Sequence, residues 1–212
     1  MFLSTLKRKR GMRTARKHLI KKDPVLGKTV RAVALQPIRA DRNRFKTLVE
    51  AIISQQLSDK AATAIIKKFK ALFPGASFPT PRQLQKTSVA KMRKAGVSTQ
   101  KAGYIKDLAK KVAKKEVNLK TIHKAPDEEV IIYLTRVKGI GRWTAEMFLM
   151  FSLERPDVLS CGDLGLRKAM QKLYKLQKLP DVKTMEKIAS RWRPHRTLAC
   201  RYLWASLDRG KS

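Results

Sequence analysis

The sequence predicts an all-α protein, and three observations predict it. Apolar residues recur at three- and four-residue intervals along most of the chain, the period of one helix face. Serine or aspartate stands just ahead of several of those runs, where a helix N-cap belongs. No stretch alternates apolar and polar residues as a half-buried strand would, and no internal repeat appears. A length of 212 residues suffices for one domain with a real core or for two small helical lobes.

Residues 1–22 read as a basic N-terminal arm, with Lys7-Arg8-Lys9-Arg10 and Lys21-Lys22 and no acidic residue. Such a run fits a solvated terminus, an arm on a polyanion backbone, or a nuclear-localisation patch. Residues 23–212 form the main domain. Asp23 is placed to cap a short helix with Pro24 at its first position, and the chain breaks near Gln36-Pro37. Phe45, Leu48, Val49, Ile52, Ile53 and Gln56 share a helix face that ends in the polar cluster Ser54-Gln55-Gln56-Leu57-Ser58. Ser58 or Asp59 caps the next helix, which is expected to bury Ala61, Ala64, Ile65, Phe69 and Leu72. Pro74-Gly75 and Pro79-Thr80-Pro81 mark loops. Short helices follow around Leu84 and Met92. Ser98 then caps a long helix that turns Tyr104, Ile105, Leu108, Ala109 and Val112 inward and Lys106, Lys110 and Lys114 outward.

The spacing of Val130, Tyr133, Leu134 and Val137 predicts a helix ending near Val137. Trp143, Met147, Met150 and Phe151 predict another beginning near Arg142. Between them Lys138-Gly139-Ile140-Gly141 makes a tight turn that buries Ile140 and presents bare amides outward. A helix N-terminus carries unpaired N–H groups and partial positive charge, so this turn is a candidate anion site, with Arg142 adding a full charge. The same residues also fit an ordinary helix–turn–helix corner. Beyond the turn, Leu164, Leu166, Met170, Leu173 and Tyr174 predict a helix that Asp163 would cap. Met185, Ile188, Ala189 and Trp192 predict another, with Trp192 in the core. Arg193-Pro194 interrupts, and Thr197 is expected to cap the last helix, through Trp204.

Charge is the loudest compositional signal: 49 Lys and Arg against 16 Asp and Glu, a formal +33. That balance points to a polyanionic partner, and 43% hydrophobic residues separate the chain from a disordered basic tail. The two cysteines, Cys161 and Cys200, form no Cys-x-x-Cys pair and cannot ligate a four-cysteine iron–sulfur cluster. A reducing compartment is expected. No apolar run is long enough to span a membrane, and the first residues do not read as a signal peptide.

Val137-Lys138-Gly139-Ile140-Gly141-Arg142-Trp143-Thr144-Ala145, followed about twenty residues on by Gly162-Asp163, resembles the signature of the helix–hairpin–helix (HhH-GPD) DNA glycosylase superfamily. Within it the chain is most similar to the 3-methyladenine DNA glycosylase II family, which removes alkylated purines. The resemblance runs from about Asp23 to Leu207. It implies a two-lobed helix–hairpin–helix fold with the active site in the cleft between lobes. It also implies a phosphate-binding hairpin made by Lys138, Gly139, Ile140, Gly141, Arg142 and Thr144. Asp163 becomes the catalytic carboxylate, and Trp143 and Trp204 the tryptophans that bind the flipped base. The Gln-Gln-Leu-Ser loop would supply the wedge that fills the hole left by that base, with Gln56 the first candidate and Leu57 the next. Ser98 and Lys101 match a stretch near the DNA backbone, although a helix cap without a ligand explains them equally well. Bifunctional members carry a nucleophilic lysine where this chain has Trp143, so a monofunctional enzyme that uses water is expected. Gly162 departs from related chains that often have a second Asp there, and by the same resemblance a compact version without the N-terminal β-rich domain of longer bacterial members is expected.

No cofactor is expected to be required, with no iron–sulfur cluster and, by the resemblance, a monovalent cation at the hairpin. The expected partner is double-stranded DNA containing alkylated bases, met by a monomer without a membrane, in a nucleus or a bacterial or archaeal cytoplasm. Two other readings stay open: a non-catalytic helix–hairpin–helix DNA-binding module, or a monofunctional glycosylase for mismatched or oxidised bases.

Overall fold

A computed structural model describes residues 2–208, and every regular element among them is helical. In chain order these are α1 (Phe2–Lys22), α2 (Pro24–Ala32), α3 (Arg44–Ser54), α4 (Asp59–Ala71), α5 (Pro81–Lys86), α6 (Val89–Lys94), α7 (Thr99–Ala113), α8 (Asp127–Thr135), α9 (Arg142–Phe151), α10 (Leu164–Leu173), α11 (Val182–Ala189) and α12 (Arg196–Asp208). Short 3-10 turns occupy Ile122–Lys124 and Ser190–Trp192. The chain divides into two compact units. One is continuous, Asp41–Leu153; the other is discontinuous, Met1–Ala40 with Glu154–Ser212. No helix among the described residues is long and apolar enough to cross a membrane.

The continuous unit is built on α7, which packs against α3, α5 and α6, while α3 also packs against α4 and α9, and α8 against α9. Its core is Leu48, Val49, Ile52 and Ile53 from α3, Phe69 from α4, and Ala102, Ile105, Leu108 and Ala109 from α7, all essentially inaccessible. Burying each of the larger side chains contributes about 1.5–3 kcal/mol. Phe45, Phe69, Phe73 and Phe78 pack edge-on or tilted at one end. The side chains of Ser58 and Ser98 accept from the amides of Ala61 and Lys101, closing the N-termini of α4 and α7.

Three expectations in this unit are corrected. Helix α3 stops at Ser54 rather than reaching Gln56, whose φ of 56° is left-handed. Helix α4 buries Ala62 with Phe69 and leaves Ala64 exposed. Lys106 is not part of a solvated face: its ammonium donates to the carbonyls of Gln85 and Thr87, both at 2.7 Å, closing the C-terminus of α5.

In the discontinuous unit α1 packs against α2 and α12, α12 against α2 and α10, and the Ser190–Trp192 turn against α1 and α11. Leu19, Leu26, Val30, Leu166, Met170, Trp192, Tyr202 and Leu203 are fully buried. The basic arm is therefore helical, and its second half is docked: Ala15 and Leu19 are buried, and the Arg16 guanidinium donates to the Val30 carbonyl. Thr197 lies inside α12 and does not cap it. Its hydroxyl donates to the Arg155 carbonyl and accepts from the Val158 amide, pinning the incoming segment instead.

Candidate active site

The turn between α8 and α9 is held from beneath. Ile140 is buried, and its amide donates to the Val137 carbonyl. Gly139 has φ +81°, and a Cβ built there would fall 2.0 Å from the Tyr104 ring. Both the backbone and the aromatic floor demand glycine. The Lys138 amide donates to Asp107 Oδ2, whose carboxylate also accepts from Lys111. Burial pushes the Asp107 carboxyl up, but the Lys111 and Lys138 hydrogen bonds outweigh it, leaving the group below its ordinary value. On the other side the Gln55 side-chain amide donates to the Gly139 carbonyl at 2.8 Å.

Gly141 differs. As the N-cap of α9 it has φ −88°, and a Cβ there would meet nothing within 4 Å. Packing within the protein does not require a glycine here. Eight helices, α2 to α7, α10 and α11, have a side chain accepting from their first-turn amides. Helix α8 lacks such a cap but carries Asp127, Glu128 and Glu129 in its first turn. Helix α9 has neither a side-chain cap nor an acidic first turn. Its exposed N-terminus thus keeps the positive end of the helix dipole available to an anion.

Of the side chains expected at this anion site, one is buried and one is ion-paired. Thr144 is only 7% exposed. Arg142 forks onto Glu128 and bonds Glu146, so its charge is met by carboxylates on α8 and α9. Lys138 remains exposed beside the turn, and Trp143 follows with 48% of its surface open. Gln56 and Leu57 both lie on the surface of the α3–α4 loop. The hydroxyl of Ser98 is occupied as a helix cap. The Lys101 ammonium donates to the carbonyls of Ile53 and Gln55 at 2.8 and 2.7 Å, and burial lowers its pKa. It therefore closes the end of α3 instead of standing free for a phosphate.

In the discontinuous unit, Asp163 caps α10. Its Oδ1 accepts from the Leu166 amide at 2.6 Å and from the Trp204 indole N–H at 3.0 Å. Gly165 makes room for this pair: a Cβ there would sit 3.0 Å from Asp163 Oδ1 and 3.4 Å from the Trp204 ring. Sequence reading missed Gly165, although a glycine in the first turn of an otherwise sound helix is a visible anomaly. Trp204 is thus a partner of the carboxylate as well as a candidate ring for a base. Trp192 lies in the core as expected, and its indole donates to Asp23 Oδ2 at 2.8 Å. Cys200 is fully buried, which pushes its thiol up to about 12 and leaves it inert. No cluster of three metal-ligating side chains occurs among the described residues.

Residues 49–194 match the family model of the HhH-GPD superfamily base excision DNA repair proteins. DNA-3-methyladenine glycosylase 1 of Schizosaccharomyces pombe is 38% identical over 161 residues, 76% of this chain and 71% of the relative. The solved structure of an S. pombe 3-methyladenine DNA glycosylase in complex with abasic DNA has TM-score 0.79 and 34% identity, covering 90% of this chain and 95% of that one. A DNA-3-methyladenine glycosidase from Bacillus halodurans also has TM-score 0.79, at 37% identity, covering 91% of this chain and 88% of that one. On this evidence the chain belongs to the HhH-GPD superfamily of base excision DNA repair proteins.

Proposed function

We infer that the protein is a DNA-3-methyladenine glycosylase that hydrolyses the N-glycosidic bond of alkylated purines and cuts no strand itself. The observation that carries this reading is Asp163, fixed by a helix amide and an indole N–H. Cleavage puts positive charge on the sugar, and a fixed carboxylate stabilises that charge and orients the attacking water. Methylation at N3 of adenine or N7 of guanine makes the base cationic and a better leaving group. Such a base stacks on an electron-rich ring through cation–π attraction of about 1–2 kcal/mol, a role for Trp143 and Trp204. Because the bond is out of reach inside a duplex, the base is flipped out, with Gln56 and Leu57 filling the gap. The uncapped N-terminus of α9, with Gly139, Gly141 and Lys138, takes a backbone phosphate. The open space over Gly141 lets that phosphate approach the amides. A monovalent cation on turn carbonyls would neutralise part of the same phosphate charge. The net +33 makes duplex affinity steeply salt-dependent.

Trp143 occupies the place where strand-cutting relatives carry a lysine, and tryptophan cannot form a Schiff base. The protein works where DNA is, as a monomer. Release of free bases from methylated duplex DNA tests the reading. Wild type releases 3-methyladenine or 7-methylguanine, Asp163→Asn does not, and borohydride traps no enzyme–DNA adduct with either. Tight duplex binding without release would return the chain to a non-catalytic binder or to another lesion class.

A further inference from the structure

The proposed wedge residues, Gln56 and Leu57, lie between two fixed points. Leu57 is followed by Ser58, which caps α4. Gln56 is preceded by Gln55, whose backbone leaves α3 with ψ 132° and whose two polar ends are both engaged. Its carbonyl accepts from Lys101 on α7, and its side-chain amide donates to the carbonyl of Gly139 in the hairpin turn. Gly139 cannot shift freely, because the Tyr104 ring lies beneath it and Asp107 holds the neighbouring Lys138 amide. One helix, α7, therefore fixes both the turn and the loop, and Gln55 is the direct link between them. Beyond this link, Gln56 adopts a left-handed backbone, which is uncommon for a residue other than glycine.

Resting on the wedge assignment above, we propose that Gln55 is a positioning residue: it fastens the wedge loop to the phosphate-gripping turn, so that holding the backbone also sets the height of the wedge. Lys101 supports the same loop from the opposite side. Gln55 touches neither base nor sugar in this role. Its contribution falls on extrusion of a paired base and not on bond cleavage.

The test separates these two steps. Single-turnover excision is measured on a duplex with 7-methylguanine paired to cytosine, and on one with 7-methylguanine opposite an abasic-site analogue, where little pairing has to be broken. Gln55→Met and Lys101→Met should each slow the paired substrate about tenfold or more relative to the unpaired one, while affinity for undamaged duplex stays within about twofold. Lys101→Arg should restore most of the loss, since it keeps a donor on the same carbonyls. Equal slowing on both substrates would reduce Gln55 to a stabilising residue and overturn the proposal, as would wild-type rates on both. Gln56→Ala and Leu57→Ala tell its failure from that of the wedge reading. A paired-specific loss in these but not in Gln55→Met rejects the link alone. No paired-specific loss in either wedge variant rejects the wedge and the link together.

Discussion

Asp23 and Asp163 begin as the same device. Each precedes a helix, each accepts from that helix's third-residue amide, and each takes an indole N–H from a tryptophan distant in sequence. They differ in burial. Asp23 is fully inaccessible and has four donors: the amides of Val25 and Leu26, the Tyr174 hydroxyl and the Trp192 indole, with Arg191 at 4.0 Å. Tyr174 is locked as a donor, because burial and then Asp23 push its pKa far above the ordinary phenol range. Asp163 is half-buried, between exposed Gly162 and exposed Leu164. A fully buried carboxylate can serve only the fold, whereas a half-buried one can turn its charge toward a reacting sugar.

The isosteric change to asparagine should split the two sites most sharply. At Asp163 it preserves the cap and the indole acceptor, since asparagine caps nearly as well, but removes the charge. Excision should fall about 10²- to 10⁴-fold with thermal stability unchanged, checked by single-turnover kinetics beside calorimetry. At Asp23 the new amide N–H groups face two buried donors. Stability should drop by about 1–3 kcal/mol, a Tm fall of roughly 2–12 °C, while catalysis per folded molecule is retained.

The tryptophans should follow their aspartates. Trp204→Phe keeps a ring and loses one charge-assisted hydrogen bond, so excision should slow about tenfold with little change in Tm. Trp192→Phe should instead lower Tm and leave the rate of the folded protein alone. The smallest effect is expected from Gly165→Ala. The added methyl forces Asp163 or Trp204 to move by a few tenths of an ångström, slowing excision several-fold while the better helix former keeps the fold intact. A Gly165→Ala enzyme with the wild-type rate would show that Asp163 is not held to close tolerance.

What was legible in the sequence was local. The helix faces of α3 and α7 follow from residues three and four apart, and Asp23, Ser58, Ser98 and Asp163 announce caps within three residues of the amides they bind. The glycine turn and the buried Ile140 were readable for the same reason. What stayed hidden depends on distant chain. Lys101 looked like a phosphate ligand because nothing nearby shows that the Ile53 and Gln55 carbonyls lie 48 and 46 residues away in sequence yet within hydrogen-bond reach. Thr197 looked like a cap because Arg155 and Val158 could not be foreseen beside it. The charge of Arg142 seemed unopposed until folding brought Glu128 to it.

The Asp23 junction also fixes an order of events during synthesis. Its side-chain partners Tyr174 and Trp192 lie 151 and 169 residues further along the chain. At the usual pace of translation that gap is roughly 10–30 s, during which Leu19, Leu26 and Val30 have no finished core to enter. The segment Asp41–Leu153 needs no such wait, because every residue of its unit is already on the ribosome's exit side once Leu153 has emerged. A nascent chain stalled between Leu153 and Tyr174 would thus carry a finished hairpin unit together with an open, sticky N-terminal pair of helices, and that is the stage at which a chaperone has most to protect.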